Sequence, residues 1–485
     1  MRTKTVDGWQ RKDHFRLSVM KTMKNLRQAR PGMIFGMILL TGLVLIHLHL
    51  HLRQDSSQAS ENTVSGYLPG TVRDDQIFQC DRSQWRTDIC NLRGDVQLEI
   101  CNGTKAFVLY ANQAVETTQL VRKETTKPYS RKWEEDSMSS VNEVTLLRMP
   151  ALSLAAQATR RPCDVRHKVP GIVFSTAGYT GNLYHEFNDG IIPLFITSQH
   201  LRREAVLIIS SFHNWWYSKY REVIEQITKY EIIDLERDER VHCFPEIETG
   251  LHIHGELSID ANRMPLKEGI QEFRDMLNRA YKPGPEDEHK IRARLKNKIN
   301  PRLTIIVRQG TRKLLNLDDV IHLAERIGFK VHLLTPDPTM ELKKIFWLLN
   351  NTDVLLGVHG AAMTHFLFMR PGSVFIQIVP LGTDWAANEY FGEPVSKLGL
   401  KYMPYKIQPD ESSLSDIYNA TDPVLVDPDR ITQRGWGDLK KIYLEAQDVR
   451  PSLHRLRQVL QQAKQDCRPL SHENNTSRKS RFMKH

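Results

Sequence analysis

The stretch Thr352 to Ile378, TDVLLGVHGAAMTHFLFMRPGSVFIQI, constrains the fold of this chain more than any other. Val354 to Leu356 reads as a buried strand and Gly357-Val358-His359-Gly360-Ala361-Ala362 as a turn. A short helix follows, and then a second strand from Val374 to Ile378. A strand that feeds a glycine-bearing turn into a helix start is how α/β folds hold a phosphate. The glycines let the backbone approach, and unpaired N–H groups face the anion. Here the turn also carries an imidazole, His359. The same turn occurs in α/β proteins that bind nothing there, so by itself it also fits a plain helix start.

The surrounding chain repeats the alternation. Arg302 to Val307 reads as a strand, Asp318 to Ile327 as a helix, Lys330 to Leu334 as a strand and Thr339 to Asn350 as a helix. Strands and helices alternating at this spacing imply a parallel sheet with helices on both faces. An earlier α/β half begins near Pro170, with strands at Gly171 to Ser175, Ala205 to Ile209 and Glu231 to Leu235. Between them lie a helical stretch from Leu183 to Leu201, in which Pro193 predicts a kink or break, and a helix from Trp215 to Lys229. Residues 281–301 combine a turn with a highly charged amphipathic helix and mark a boundary between the halves. Ile77 to Val169 reads as an irregular, partly β entry region, with VQLEI at 96–100, AFVLY at 106–110 and a charged, exposed RKWEED at 131–136. A last long helix is expected from Asp438 to Gln465, after an irregular 380–437.

The N-terminus follows other rules. Residues 1–30 hold nine Lys or Arg against Asp7 and Asp13, and the uncharged apolar run Met33 to Leu50 follows. At 1.5 Å per residue, that run makes a helix just long enough for a thin bilayer, and no small-residue cleavage site follows it. The basic flank stays cytosolic, which predicts a type II signal anchor with the remainder in the lumen. The tail thus supplies most of the +10 net charge, so the charge is an orientation signal and no nucleic-acid partner is expected. His47, His49 and His51 fit the membrane–water boundary better than a metal site. Sequons at Asn102, Asn350, Asn419, Asn474 and Asn475 would be glycosylated where exposed. The six cysteines, Cys80, Cys90, Cys101, Cys163, Cys243 and Cys467, form an even set suited to an oxidising compartment, and none has zinc-ligand spacing.

Two further constellations carry chemistry. At the carboxyl edge of strand 302–307, where parallel sheets bind ligands, stand Arg308 and Arg312, whose guanidinium groups suit a diphosphate. In the first half, Asn182-Leu183-Tyr184-His185-Glu186-Phe187-Asn188-Asp189 sets His185 and Asp189 one helical turn apart, on a face shared with Asn182. An imidazole with a carboxylate beside it is the minimum for an oriented general base, with Glu186 as a competing base. The plainer reading is that Asn182 and its neighbours merely cap a helix. His252 and His254 in LHIHG, on a strand-like pattern, read as rim or core residues. Asp427-Pro428-Asp429 has Asp-x-Asp spacing but no apolar strand before it, so it carries little weight as a metal site.

GYTGNLYHEFNDGIIPLF (178–195), RQGTRKLLN (308–316), GVHGAAMTHFLFMRPGSVFIQIVPLG (357–382) and DWAANEYFGEPVSKLGLKYMPYKI (384–407) together resemble plant members of glycosyltransferase family 61. The similarity covers roughly residues 160–465, and is strongest to the grass-expanded branch of xylan arabinosyltransferases and xylosyltransferases. One departure is His365, where other family members carry Asn; if that position touches the nucleotide, donor preference differs. The resemblance implies an α/β, GT-B-like architecture of two Rossmann-like halves facing a cleft. It also implies an inverting transfer from a UDP-sugar, with no cofactor and no metal required.

On that plan, residues 1–32 are a cytosolic tail, 33–52 the anchor and 53–76 a stem. Residues 77–290 form the acceptor side with the first α/β half, 291–437 the donor-binding half, and 438–485 a C-terminal helix and polar tail. His185, Asp189 or Glu186 would supply the base, with Asn182 in support. Arg308, Arg312, Gly357, His359, Gly360, Ala361, Thr364 and His365 would bind the donor. The expected activity is Golgi transfer of a pentose, arabinofuranose first and xylose second, from UDP onto xylan or a xylo-oligosaccharide. The alternatives are a non-catalytic partner in a xylan-synthesising complex and a sulfotransferase. The second would need a phosphosulfate loop that is missing near 96–110 and 171–182.

Overall fold

The computed structural model describes residues 77–101, 104–110, 121–150, 160–282, 284 and 300–467, all within one compact unit, Arg73–His485. The apolar run at 33–50, the stem, and the sequons Asn102, Asn474 and Asn475 lie outside these residues. Among the described residues, no helix is long and apolar enough to cross a membrane.

The first ten strands form one sheet. They are β1 (Phe78–Asp81), β2 (Ile89–Cys101), β3 (Thr104–Tyr110), β4 (Arg122–Thr126), β5 (Val144–Met149), β6 (Val165–Arg166), β7 (Gly171–Ser175), β8 (Val206–Ser210), β9 (Ile233–Asp234) and β10 (His242–Thr249). β7, β8 and β9 lie parallel, and β10 joins in parallel on the other side of β7. The chain therefore reverses its direction of growth beside β7, and such a switch point opens a crevice at the carboxyl ends of the strands. The entry region proves to be part of this sheet: β2 pairs antiparallel with β10 and β3, and β5 and β4 continue outward. β10 has no clean strand pattern because Pro245 interrupts it. The proline sits where the register shifts between Phe244 and Glu246, at a bulge that needs no ladder bond from it. Disulfides join Cys80 to Cys90 across β1 and β2, and Cys163 to Cys243 of β10.

The helical stretch after β7 is continuous but changes its winding. α1 (Leu183–His185) runs into a π-helical segment, Glu186–Ile191, then α2 (Ile192–Ser198) and a 3-10 turn, Gln199–Leu201. Pro193 has no N–H to give the Asp189 carbonyl one turn back. That carbonyl accepts instead from Ser130 Oγ at 2.8 Å, and the wider π turn absorbs the mismatch. α3 (Asn214–Ile227) and α4 (Ile270–Ala280) are the longer helices of this half.

The second sheet holds β11 (Arg302–Ile306), β12 (Lys330–Leu334), β13 (Val354–Val358), β14 (Val374–Val379) and β15 (Lys401–Lys406), all parallel. Its order is β12-β11-β13-β14-β15, so a second switch point lies between β11 and β13. Leu303, Ile305, Leu356 and Ile376 pack on α5 (Leu317–Ile327) and, from the C-terminal end, Leu456 and Leu460. From the opposite face, Ile306, Leu355 and Phe375 join α6 (Leu342–Asn350), the 3-10 segment Ala361–Phe368, and α4 of the first half. Ile172, Phe174, Leu207 and Ile209 of β7 and β8 enter the same layer. The two sheets thus share one apolar core between them.

The expected helix from Asp438 to Gln465 is broken. Trp436–Leu439 and the π-helical Lys440–Glu445 end in an extended stretch where Val449 bridges to Leu314 and Ser412. Pro451 then separates this stretch from α7 (Leu453–Asp466).

Candidate active site

At the first switch point, the loop after β7 leads into α1. Asn182 caps that helix, its side chain accepting from the Tyr184 N–H at 3.0 Å. Asn182 thus serves the backbone and does not join the face expected for it. His185 and Asp189 do meet, with Nδ1 2.7 Å from Oδ2. The Asp189 side chain is fully buried and is gripped from three more directions. Arg86 Nη2 donates to Oδ1 at 3.0 Å, Arg131 Nε to Oδ2 at 2.6 Å, and Asn188 Nδ2 to Oδ1 at 2.9 Å. Burial alone would raise its pKa, but Arg131, His185 and Arg86 outweigh it and hold the carboxyl at about 2. A carboxylate so occupied takes up no proton near neutrality. It orients His185, keeping the proton on Nδ1 and leaving Nε2 as the basic nitrogen.

Neither guanidinium group was expected from the sequence to belong to a site. Arg86 is 5% and Arg131 9% exposed, so the 131–136 segment, expected as an exposed charged loop, instead buries its first residue. Arg131 also pairs with Glu134, and Arg86 with Glu256, whose other oxygen accepts from the Tyr184 hydroxyl. Glu186 takes a different role from Asp189. Its oxygens accept from the Gly181 N–H at 2.7 Å and Trp216 Nε1 at 2.6 Å, which pins the glycine turn above α1. Burial pushes its pKa up to about 7 against those two donors. It lines a small cavity with His185, Thr176 and Trp216.

At the second switch point, Arg308 and Arg312 follow β11 and the His359 turn follows β13. Neither arginine forms an ion pair among the described residues. Arg308 Nε donates to the Thr311 carbonyl at 2.8 Å, and Arg312 Nη1 to the His359 carbonyl at 3.1 Å. Arg312 Nε is buried and has no hydrogen-bond partner among the described residues. Burial, then the charge of Arg308, lowers Arg312 to about 10. Two guanidinium groups held close together, with no ion pair among the described residues, carry the charge that an anionic group would neutralise. Gly360, at φ +153°, leaves the room they need, since a Cβ there would lie 2.2 Å from Arg308 Nη1. Burial, then Arg312 and Arg308, depress His359 to about 3, so its ring is neutral. Gln377 Nε2 lies 2.8 Å from its Nδ1, and Tyr402 OH donates to Gln377 Oε1 at 2.8 Å. That chain sets the tautomer with the proton on Nε2, a donor to an anion.

Rings join the two switch points. Tyr184, next to His185, lies 6.1 Å from Phe391, and Phe391 lies 5.5 Å from His359, centroid to centroid. The two switch points are therefore linked through buried rings of the shared core.

The other expected donor residues separate. Gly357 lets Met363 pack close to β13, where a Cβ would lie 2.5 Å from its Sδ. Ala361 is half-buried at the start of the 3-10 segment. Thr364 is fully buried and its Oγ1 has no partner. His365 is buried too, and its Nδ1 gives its proton to the Ala362 carbonyl at 2.8 Å. Burial lowers its pKa to about 4. Its ring fills the shared core beside Phe368, at 5.8 Å. Of the two described sequons, Asn419 is exposed, whereas Asn350 is half-buried with its amide donating to the Phe368 carbonyl. That engagement makes Asn350 a poor glycan acceptor. LHIHG forms no strand: His252 is exposed beside Glu248, and His254 accepts from the Asp260 N–H. Asp427 caps the surface helix Pro428–Thr432.

The model for the family Glycosyltransferase 61 matches residues 184–376, which span both switch points. The chain is 44% identical to the xylan glycosyltransferase MUCI21 of Arabidopsis thaliana, over 84% of this chain and 83% of that protein. It is 37% identical to the beta-1,2-xylosyltransferase XYXT1 of Oryza sativa subsp. japonica, over 80% of this chain and 83% of that one. It is 35% identical to the alpha-1,3-arabinosyltransferase XAT3 of the same rice, over 80% of this chain and 65% of that one.

Proposed function

The chain belongs to glycosyltransferase family 61 and is a glycosyltransferase, and from that premise we propose that it transfers a pentose from a UDP-sugar onto the xylan backbone with inversion. The observation that carries this reading is the pairing of His185 with Asp189 at one switch point, together with two arginines at the other that form no ion pair among the described residues. In the reaction, His185 Nε2 takes the proton of an acceptor hydroxyl as its oxygen bonds to the anomeric carbon. The bond from that carbon to the diphosphate breaks, and its electron pair leaves with UDP. Arg308, Arg312 and the His359 Nε2–H stabilise the charge that develops there. The two α/β halves fit a GT-B-like division, with the acceptor on the first and the donor on the second. The disulfides Cys80–Cys90 and Cys163–Cys243 fit an oxidising lumen, and we place the protein in the Golgi membrane, anchored by residues 33–52.

Arabinofuranose is the sugar we assign. Xylosyl transfer is the second reading, and the relative named as a xylosyltransferase favours it. The test uses the detergent-purified full-length protein with UDP-arabinofuranose, UDP-xylose and xylo-oligosaccharides. An arabinosylated product of inverted configuration is expected. His185→Ala should lower turnover by at least ~10²-fold, a typical general-base contribution, while UDP binding persists. Transfer from neither sugar nucleotide would sink both readings, and full turnover in His185→Ala would remove the base assignment.

A further inference from the structure

Trp85, before β2, is 50% exposed, and it lies against half-buried Trp133 with ring centroids 4.2 Å apart. A single exposed indole needs no explanation, but a pair beside a buried polar centre forms a defined surface. Beneath that pair are the two arginines that grip Asp189. Arg86 lies 5.2 Å and Arg131 5.4 Å from the Trp133 ring. Arg131 also lies 5.6 Å from the Tyr179 ring, whose centroid is 4.5 Å from that of His185. An unbroken series of rings and guanidinium planes therefore runs from Trp85 to the imidazole.

We infer that Trp85 and Trp133 form the platform for the acceptor polysaccharide, holding sugar rings beyond the one that receives the pentose. This assignment rests on the reading of the protein as a polysaccharide transferase. Two features select an uncharged sugar chain. The first is shape: pyranose rings with equatorial substituents present flat C–H faces that pack on an indole, while their hydroxyls stay at the wet rim. The second is charge: Arg86 and Arg131 are matched by Asp189, Glu134 and Glu256. The two guanidinium groups beneath the indoles are thus neutralised, whereas Arg308 and Arg312 form no ion pair among the described residues. The nucleotide and the acceptor are sorted by charge balance, and the indole pair gives the acceptor side its affinity.

The platform predicts dependence on acceptor length. For the full-length wild type, kcat/KM should rise from short to long xylo-oligosaccharides. Trp85→Ala should raise the KM for the longest acceptor about tenfold, should nearly abolish the length dependence, and should leave the KM for the sugar nucleotide unmoved. Trp85→Phe should recover most of the loss. Direct titration of a long xylo-oligosaccharide against wild type and Trp85→Ala, without donor, gives a second reading independent of transfer. If the wild type transfers and Trp85→Ala keeps the full length dependence, the platform is wrong and the transferase reading stands. If the wild type binds the oligosaccharide through Trp85 but transfers nothing, the platform stands and the proposed reaction falls. If the wild type neither binds nor transfers, both fall.

Discussion

At the scale of the residue, Asp189 shows both what the sequence displays and what it hides. Spacing alone put His185 and Asp189 on one face, and their 2.7 Å contact follows from it. Spacing could not show that Arg86 and Arg131 arrive from 103 and 58 residues earlier, because an ion pair between segments far apart in sequence leaves no local pattern. Those arginines separate the candidates: Asp189 is held as an anion beside His185, and the base proposed above is therefore His185. The clamp also sets a pH signature. The folded Asp189 titrates at about 2, below its ordinary 3.8, so its contribution to stability is complete above about pH 4 and is lost as pH falls through 2. Asp189→Asn should flatten the stability profile across that window. At neutral pH it should cost about 3–5 kcal/mol, because two buried guanidinium groups lose their shared partner. Urea unfolding at pH 7 and across the acid range measures both effects. A variant as stable as the parent at pH 7 would show that the clamp contributes nothing.

At the scale of the element, the helix after β7 was legible as a helix, and Pro193 was legible as its weak point. Its π winding was not, because that depends on a hydroxyl, Ser130 Oγ, supplied by a distant loop to the carbonyl the proline leaves open. The same limit hid β10, whose bulge at Pro245 makes sense only beside β2. The π segment contains Gly190, which has ordinary negative φ and open space where a Cβ would stand. Glycine inside a helical segment costs about 0.5–1 kcal/mol relative to alanine, through the freedom the unfolded chain gives up. Gly190→Ala should therefore raise the unfolding free energy by that order, and the thermal midpoint with it. The methyl would also enter the small cavity that Gly190 shares with His185 and Glu186, so turnover should fall while stability rises. A less stable Gly190→Ala would mean that the π turn itself requires glycine.

At the scale of the whole molecule, strand–helix alternation was enough to announce two α/β halves, since each half writes its own periodicity. How they join could not be read from either half. α4 follows the first sheet yet packs into the core of the second, and its apolar stripe names no partner. The consequence is a single core shared by the two halves, and Phe368 sits in it. Its ring lies 5.9 Å from Phe187 in the π segment, 6.0 Å from Tyr281 and 5.6 Å from Phe346. Phe368 therefore touches the segment that carries Asp189 and the helices that cover the second sheet. Phe368→Ala should cost about 3–5 kcal/mol, the usual loss for a buried ring that leaves a cavity. If the shared core makes the two halves one cooperative body, far-ultraviolet circular dichroism and tryptophan fluorescence should shift together to lower denaturant and still coincide. Transitions that separate in the parent, or a variant that moves only one probe, would show that the halves unfold independently. The halves would then be two bodies joined at a hinge, whereas a shared core predicts one body with its two sheets held in fixed register.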